Sequence, residues 1–294
     1  MTEAAGGPVG VVGLGNMGQV LAANLAGAGL DVVAHDAAGP ERAPAGVTFV
    51  ESAAEVAERA TTVVLSLPDG AACAAVVEDL LATDGRRTDL VIDTSTVGVR
   101  AAETLHRRLQ KEGVDLVDAP VSGGVAGARA RTLLVMFAGT DAAVARAEPV
   151  LAGLSDRRHR VGDRPGLAQA MKLANNYCSA AALAATSEAI AFGLAAGLDL
   201  ATMLDVLNAA SGQSAATSDK FPNHVLTGRY AAGFAGRLMA KDVGLYLDEV
   251  EAAGGPHALA DTTVALWRAF AAAEPDADFT RIFPFVQSSE RSRS

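Results

Sequence analysis

Short apolar runs rich in β-branched residues alternate with helical patterns through the first 163 residues of this chain. Six of these runs predict buried strands that end in turns. They are VGVVGL, LDVVAHD, TTVVLSLP, LVIDTST, VDLVDAP and TLLVMFAG, followed by a helix and the short return RRHRVG. Strands that alternate with helices form βαβ units, which build a parallel sheet with helices on both faces. The pattern therefore predicts an α/β, doubly wound domain over residues 1–163.

The pattern changes at GDRPG, residues 162–166, where Pro-Gly indicates a turn. No convincing strand follows. Helical segments are expected at about 167–197, 199–210, 214–227, 236–253 and 256–273. We therefore expect residues 164–287 to form an all-α C-terminal domain entered by a long helix, and the polar tail 288–294 to be disordered.

Composition excludes several classes of partner. The net charge is −10 and no run of Lys or Arg occurs, which argues against nucleic acid and anionic membrane as partners. The Ala-rich stretch after Lys172 is interrupted by Ser, Thr and Glu, so we interpret it as a buried helix and not as a membrane span. The N-terminal MTEAAGG is acidic and does not resemble a secretory signal, so we expect a cytoplasmic protein. Cys73 and Cys178 lack CxxC spacing and are interpreted as small buried thiols.

The first strand ends in a glycine-rich loop with GxGxxG spacing. Its glycines are Gly13, Gly15 and Gly18, and the residues between them are Leu14, Asn16 and Met17. Glycines at this spacing permit a tight turn, close approach of a pyrophosphate and close helix–strand packing, and a helix that opens at Asn16 would direct its N–H groups at the phosphates. Because the loop lies between a strand and a helix, we interpret residues 1–163 as a dinucleotide-binding Rossmann domain.

An acidic residue lies at the end of the second strand. Asp36 follows Gly18 by 18 residues, where a carboxylate accepts the ribose hydroxyls of NAD and repels the 2′-phosphate of NADP. A solvated turn residue is the alternative interpretation. We predict NAD as cofactor, with NADP left open by Arg42 in the following loop, which could reach a phosphate.

A second candidate loop is DAPVSGG, residues 118–124, which follows another strand. The Ser122 hydroxyl and the unobstructed N–H groups of Gly123 and Gly124 could hold a carboxylate, although Ser-Gly-Gly is also an ordinary flexible turn. Its position after a strand favours binding, because ligands of open α/β sheets lie outside the carboxyl ends of the strands.

Six stretches taken together resemble the β-hydroxyacid dehydrogenase family, typified by 3-hydroxyisobutyrate dehydrogenase. They are GLGNMG, SLPDG, VIDTST, DAPVSGG, KLANN and KDVGL, in the family's order over about residues 8–285. The resemblance implies that Lys172 is catalytic and that Asn176 contacts substrate near the reacting hydroxyl. It also implies that the substrate carboxylate binds at Ser122, Gly123 and Gly124. The cofactor would be lined by Leu67, Pro68 and Thr96, and both ligands would lie near Lys241. Ala72 departs from the family, because several members have a cofactor-contacting asparagine there.

The helical segment that begins near Leu167 contains only two charged residues, Lys172 and Glu188. At 100° per residue Lys172 and Asn176 lie 40° apart and share a helix face. A lysine in water is a poor base at neutral pH, but apolar surroundings disfavour its charged form, and the oxidised nicotinamide is also positive. We interpret Lys172 as the general acid–base. The alternative for Lys172 is a structural lysine near the start of a helix, whose ammonium group reaches water. The alternative for Lys241 is an exposed ion pair with Asp242.

The sequence therefore predicts an NAD-dependent oxidoreductase that converts a small 3-hydroxy carboxylic acid to its semialdehyde or oxo acid, or the reverse. An imine reductase and a non-catalytic dinucleotide-binding sensor are the alternatives; Lys172 argues against both. The five histidines lack metal-ligand spacing, so we expect no metal site. The apolar helical domain indicates a substrate-binding and oligomerising role, so we expect a homodimer or homotetramer.

Overall fold

The computed structural model describes residues 7–291, with side chains through 288. The first six residues of the acidic N-terminus and the last three of the predicted disordered tail lie outside the described residues. The chain divides into two compact units, Met1–Lys172 and Leu173–Ser294, which we call unit 1 and unit 2.

Unit 1 contains the strands, and the described part of its sheet has nine. They are β1 Val9–Val12, β2 Val32–His35, β3 Thr48–Phe49, β4 Thr62–Leu65, β5 Leu90–Asp93, β6 Asp115–Asp118, β7 Val121–Ser122, β8 Leu134–Ala138 and β9 Arg157–Gly162. Its helices are α1 Gly18–Gly27, α2 Ala53–Arg59, α3 Gly70–Leu81, α4 Val99–Gln110, α5 Gly124–Arg129 and α6 Asp141–Leu154.

The sheet order is β3-β2-β1-β4-β5-β6-β8-β7, with β9 paired to β8. Strands β1 to β6 pair in parallel, whereas β8 is antiparallel to β6 and β7. The strand order reverses at β1: the chain first adds β2 and β3 on one side of β1, and then adds β4, β5 and β6 on the other side. This is the predicted doubly wound Rossmann fold, and the loops after β1, β4, β5 and β6 share one edge of the sheet.

Two apolar cores cover the two faces of the sheet. Alternate residues of β1 enter different cores: Val9 and Val11 pack with α1 and α6, and Val12 packs with α2, α3 and α4. Because both faces are buried, the central residues of the parallel strands are apolar, and polar residues such as Asp93 and Asp118 stand at the strand ends. Each fully buried Val or Leu contributes about 1.5–3 kcal/mol to folding, so these cores fix the loops that leave the sheet.

Unit 2 is helical. Helix α7, Leu167–Ala195, has its first six residues in unit 1 and the rest in unit 2. The longer helices that follow are α8 Leu200–Ala209, a π-helix Ala216–Val225, α9 Gly236–Ala252, α10 Ala258–Ala273 and α11 Ile282–Arg291. The core is built on Trp267, Phe221 and Phe270, all fully buried. The Trp267 indole N–H donates to the Ala180 carbonyl of α7 at 3.3 Å.

The structure confirms the predicted fold class and differs from it in detail. Helix α1 begins at Gly18 and not at Asn16, because residues 15–17 form the turn of the glycine loop. The two-residue strands β3 and β7 and the six-residue α5 carry too little periodicity to be predicted. Helix α11 extends four residues into the segment predicted to be disordered, because its buried residues, Ile282, Phe283 and Val286, anchor it. Cys178 is exposed, whereas Cys73 is buried as expected.

Helix α7 is long and apolar enough, judged by length and composition alone, to cross a membrane. This differs from the expectation that its polar residues make it too weakly apolar. Its Ala180, Leu183 and Ile190 nevertheless lie in the buried core of unit 2, which is the usual position of an apolar helix inside a folded domain.

Candidate active site

The glycine loop after β1 packs against the loop after β4. Gly13 has φ +96°, a conformation that residues with a side chain rarely adopt, and a Cβ there would lie 3.0 Å from the Leu67 side chain. A Cβ on Gly18 would lie 2.9 Å from the Gly13 carbonyl carbon and overlap its oxygen. Around Gly15, by contrast, no atom of the described residues other than its two chain neighbours lies within 4 Å of an added Cβ. Gly13 and Gly18 are therefore required for the conformation of the loop, and Gly15 leaves open the space that the close approach of a pyrophosphate requires. Asn16 is exposed and Met17 precedes the first residue of α1.

The Asp36 carboxylate is held beneath this loop. Its Oδ2 accepts the Leu14 N–H at 2.6 Å, and its Oδ1 accepts the Ala38 N–H at 2.8 Å. The carboxylate is thus fixed at the end of β2, beside the glycine loop, where it can accept ribose hydroxyls with its remaining lone pairs. Arg42 is exposed in a short 3₁₀ turn, Pro40–Arg42.

The predicted cofactor-lining residues follow β4 and β5. Leu67 is partly buried and donates its N–H to the Ser95 hydroxyl at 2.9 Å, while Pro68 is exposed. The Ser95 N–H in turn bonds the Asp93 carboxylate at 2.9 Å. Thr96 is partly buried in the same loop. Ser95 and Asp93 therefore join the loops after β4 and β5.

The buried Cys73 thiol lies beside Ser95 and Asp93. Cys73 is within 3.5 Å of the Ser95 hydroxyl and 3.9 Å of Asp93. Burial and the Asp93 carboxylate raise the pKa of the Cys73 thiol well above its usual range, so this thiol is inert. Ala72, where the sequence departs from the family, lies in the first turn of α3, and its N–H donates to the N-cap carboxylate of Asp69 at 2.9 Å.

The Ser-Gly-Gly turn lies at the same edge of the sheet, beyond β6. Ser122 is the last residue of β7 and is partly buried. Gly123 and Gly124 follow with φ of +131° and +66°, so both positions favour glycine. The turn is thus a specific backbone conformation and not an arbitrary flexible link.

Two buried polar side chains, which the sequence analysis did not identify, fasten the start of α7 to this edge. The Asp118 carboxylate at the end of β6 accepts the Gly166 N–H at 2.6 Å and the Gln169 N–H at 3.3 Å. The Gln169 amide bonds the loop after β5, Ser95 to Gly98. Burial, with a contribution from Asp93, raises the pKa of Asp118 to about 7. These bonds explain why unit 1 extends to Lys172, nine residues beyond the predicted boundary at 163.

Lys172 lies in the second turn of α7 and is 7% exposed. It shares a buried helix face with Gln169, Asn176 and Ala180, as the three- and four-residue spacings require. A lysine is rarely this buried without a specific role or partner. The lysine is thus buried, as the sequence predicted, while its catalytic role stays a prediction.

In unit 2, Asn176 and Lys241 meet at one carboxylate. The Asn176 Nδ2 donates to Asp242 Oδ2 at 2.6 Å, and Lys241 Nζ lies 3.1 Å from Asp242 Oδ1. Asp242 is 3% exposed, whereas Lys241 is partly exposed. The Lys241-Asp242 pair is therefore half-buried and not a solvated surface pair. Because the carboxylate only accepts, it fixes the amide orientation of Asn176.

Lys241 also lines a groove of about 430 Å³ along α9 and α10. Arg237 and Arg268 line the same groove, together with Asp248. With Asp242 counted as the partner of Lys241, three cations stand against two carboxylates here, so this face is locally less negative than the chain as a whole.

One group of side chains has the composition of a metal site. Ligand atoms of Glu251, His257 and Asp261 lie within 4.8 Å of one another. Two of the three residues are exposed, and the His257 ring already lies 3.2 Å from the Asp261 carboxylate. Exposed acidic groups of this kind are common without an ion, so the expectation of no metal site stays a prediction.

The chain matches known families along nearly all of its length. Residues 8–162 match the family described as the NAD binding domain of 6-phosphogluconate dehydrogenase, and residues 166–286 match NAD-binding of NADP-dependent 3-hydroxyisobutyrate dehydrogenase. A probable 3-hydroxyisobutyrate dehydrogenase of Mycobacterium bovis is 36% identical over 280 residues, which are 92% of this chain and 95% of the relative.

Solved structures agree with these matches. The Mycobacterium tuberculosis 3-hydroxyisobutyrate dehydrogenase, solved with L-serine, has a TM-score of 0.89 and 33% identity, and the match covers 96% of this chain and 99% of that chain. An imine reductase from Pseudomonas sp. covers 95% and 99%, but its TM-score of 0.60 and 22% identity show a shared fold alone. The geometry of the glycine loop fits the NAD that the matching family binds. The chain therefore belongs to the β-hydroxyacid dehydrogenase family.

Proposed function

We propose that this chain oxidises a small 3-hydroxy carboxylic acid to its semialdehyde or oxo acid with NAD, or runs the reverse reaction. One observation carries the proposal: a buried lysine, Lys172, lies in a helix whose first turn is bonded to the ligand-binding edge of an NAD-binding sheet. A base at that position suits the removal of a proton from a substrate hydroxyl.

Lys172 is the general acid–base in this account. Oxidation removes a hydride, two electrons with one hydrogen, from the carbinol carbon, and NAD held at the glycine loop would accept it. The neutral amine of Lys172 takes the hydroxyl proton as the C=O bond forms. In the reverse direction the ammonium donates a hydrogen bond to the carbonyl oxygen and returns the proton.

The substrate carboxylate is assigned to the turn Ser122-Gly123-Gly124. The hydroxyl and the glycine N–H groups are its proposed donors, and two consecutive positive φ values support a fixed backbone at this place. A carboxylate held there would set the distance from the hydroxyl to Lys172, which is how binding energy contributes to rate.

Unit 2 supplies Asn176 and Lys241 as proposed ligand contacts, and Asp242 holds both side chains. Asp242 fixes the Asn176 amide, so the second N–H of Nδ2 has a defined direction and can contact the substrate hydroxyl. Lys241 supplies a positive charge for the substrate or cofactor, and Asp242 restrains it at 3.1 Å.

The test is NAD reduction at 340 nm with a panel of 3-hydroxy acids that vary in chain length, branching and anionic group. The panel begins with 3-hydroxyisobutyrate, after the names of the relatives, and includes L-serine, which is present in one of the solved structures. Turnover of at least one 3-hydroxy acid, and none of the matching 3-deoxy acid, is expected.

Two outcomes would support the alternatives instead. Reduction of a cyclic imine in the presence of NADPH, without oxidation of any hydroxy acid, would indicate an imine reductase. Tight NAD binding by calorimetry without turnover of any compound would indicate a binding module that senses the cofactor.

We also propose that the chain assembles as a homodimer or homotetramer. Apolar side chains on and beside α7 and α8 are strongly exposed, among them Phe192 at 77%, Val206 at 62% and Leu198 at 53%. Exposed apolar groups of this size favour coverage by another protein surface, and a second copy is the simplest source. Light scattering should give at least twice the monomer mass of 29.8 kDa; a monomer would contradict the proposal.

A further inference from the structure

The buried amide of Gln169 joins three segments of unit 1. Its Oε1 accepts the N–H groups of Val97 at 3.0 Å and Gly98 at 3.2 Å. Its Nε2 donates to the Ser95 carbonyl at 3.0 Å and lies 3.5 Å from Asp118 Oδ1. Gln169 is fully buried. Every hydrogen-bonding position of one amide is thus used at the start of α7.

The Asp118 carboxylate holds the backbone of the same turn. Its Oδ2 accepts from Gly166, the residue before α7, and from the Gln169 N–H. Asp118 is 1% exposed and is the last residue of β6. The helix start is therefore bonded through side chain and backbone to the ends of two neighbouring strands.

Lys172 follows Gln169 by three residues. On an α-helix this spacing is a rotation of about 300° and a rise of about 4.5 Å, so the two side chains leave from the same face on neighbouring turns. Any rotation or shift of the first turn carries the lysine with it. A general base must come within about 2.6–3.2 Å of its proton donor, and a misplacement of about 1 Å can cost about 100-fold in rate.

We propose that Gln169 and Asp118 are positioning residues, which set where Lys172 stands relative to the loops after β5 and β6. This inference rests on the proposed function, because it assumes that Lys172 is the acid–base. A contact that serves stability alone has little need of buried polar groups, since apolar side chains of the same shape often stabilise as well. A fully satisfied buried network instead fixes one arrangement of the segments that it joins.

The test uses Gln169→Glu in the full-length protein, with Gln110→Glu as the matched control. The variant keeps the shape of the side chain, removes the N–H donors and places a carboxyl group beside Asp118. Gln110 ends α4 and is exposed, so the same chemical change there reaches no part of the site. Gln169→Glu should lower kcat by about 10- to 100-fold, with the Kd for NAD within threefold of wild type. Gln110→Glu should match wild type.

A double-mutant cycle separates positioning from a structural role. If Gln169 acts through Lys172, adding Gln169→Glu to Lys172→Ala should change the residual rate by less than threefold. A purely structural role would lower both backgrounds by the same factor, and that result would overturn the inference. A Gln169→Glu enzyme with kcat within twofold of the control would overturn it as well.

Asp118→Asn provides a milder second variant should Gln169→Glu fail to fold. Its carbonyl oxygen can still accept the Gly166 N–H, while its amide opposes the Gln169 Nε2 donor. The same loss of kcat and the same lack of effect in the Lys172→Ala background are expected. A wild-type rate in Lys172→Ala would refute the acid–base role of Lys172 and the inference with it. A slow Lys172→Ala beside a fast Gln169→Glu and a fast Asp118→Asn would overturn the inference alone.

Discussion

The glycine loop allows the folding role of a glycine to be separated from its binding role. A Cβ on Gly18 would lie 2.9 Å from the Gly13 carbonyl carbon and 3.1 Å from the Ser66 Cβ, and it would overlap the Gly13 oxygen. These distances are several tenths of an ångström or more below ordinary contact, and the obstacle is mainly backbone. Gly18→Ala should therefore destabilise unit 1 by about 1–3 kcal/mol, the usual cost of overpacking.

Gly15→Ala should behave in the opposite way. Apart from its two chain neighbours, no atom of the described part of the chain lies within 4 Å of the added methyl group, and the residue does not have a positive φ. The free energy of unfolding should stay within about 0.5 kcal/mol of wild type. The methyl group would, however, occupy the space assigned to the pyrophosphate, so NAD affinity should fall at least about tenfold, which is about 1.4 kcal/mol.

Denaturant unfolding without NAD and calorimetric titration with NAD measure the two quantities separately. The expected pattern is a loss of stability in Gly18→Ala and a loss of affinity at unchanged stability in Gly15→Ala. Wild-type NAD affinity in Gly15→Ala would refute the assignment of that open space to the cofactor. Wild-type stability in Gly18→Ala would refute the steric reasoning for the loop.

Three further predictions concern cofactor choice, pH and assembly. Asp36→Asn keeps an acceptor for the Leu14 N–H but removes the negative charge that repels the 2′-phosphate of NADP. In steady-state assays, the kcat/KM for NADP relative to that for NAD should therefore rise at least about tenfold. An unchanged ratio would show that Asp36 does not select the cofactor. The pKa of Asp118 is about 7 in the folded chain and 3.8 as its ordinary value, so the folded state binds this proton more tightly and the free energy of unfolding should fall as pH rises from about 4 to about 7. Urea unfolding across that range should show this fall to be weaker in Asp118→Asn, and identical pH slopes would contradict the assignment. Phe192→Glu should lower the mass found by light scattering toward that of the monomer, with unchanged circular dichroism; an unchanged mass would exclude Phe192 from the interface.

Periodicity and turn residues predicted most of the fold. The central parallel strands of unit 1 are mainly apolar because both faces of the sheet are buried, and this pattern is visible in the residues alone. The fold class, the glycine loop and Asp36 at the end of β2 follow from local sequence. The long helix α7 also follows, because its buried residues recur with helical spacing.

The contacts that organise the site could not be predicted in the same way. Gln169 bonds residues 71 to 74 positions earlier, and Asp118 bonds residues about 50 positions later, so no local pattern encodes either contact. Asp242 lay within a recognised motif, KDVGL, but its bond to Asn176 spans 66 residues. A buried polar residue is informative only when its partner is known, and the partner is a property of the fold.

The central claim is that Lys172 carries the acid–base chemistry, and the most direct measurement is the rate of NAD reduction by Lys172→Ala at saturating substrate and NAD. The substrate is the best 3-hydroxy acid found with the wild-type enzyme, and NAD affinity is measured on the same preparations. We expect kcat to fall by about 10²–10⁴ while the Kd for NAD stays near its wild-type value. A variant that keeps kcat within a few-fold of wild type would contradict the account, because a lost general base cannot leave turnover intact.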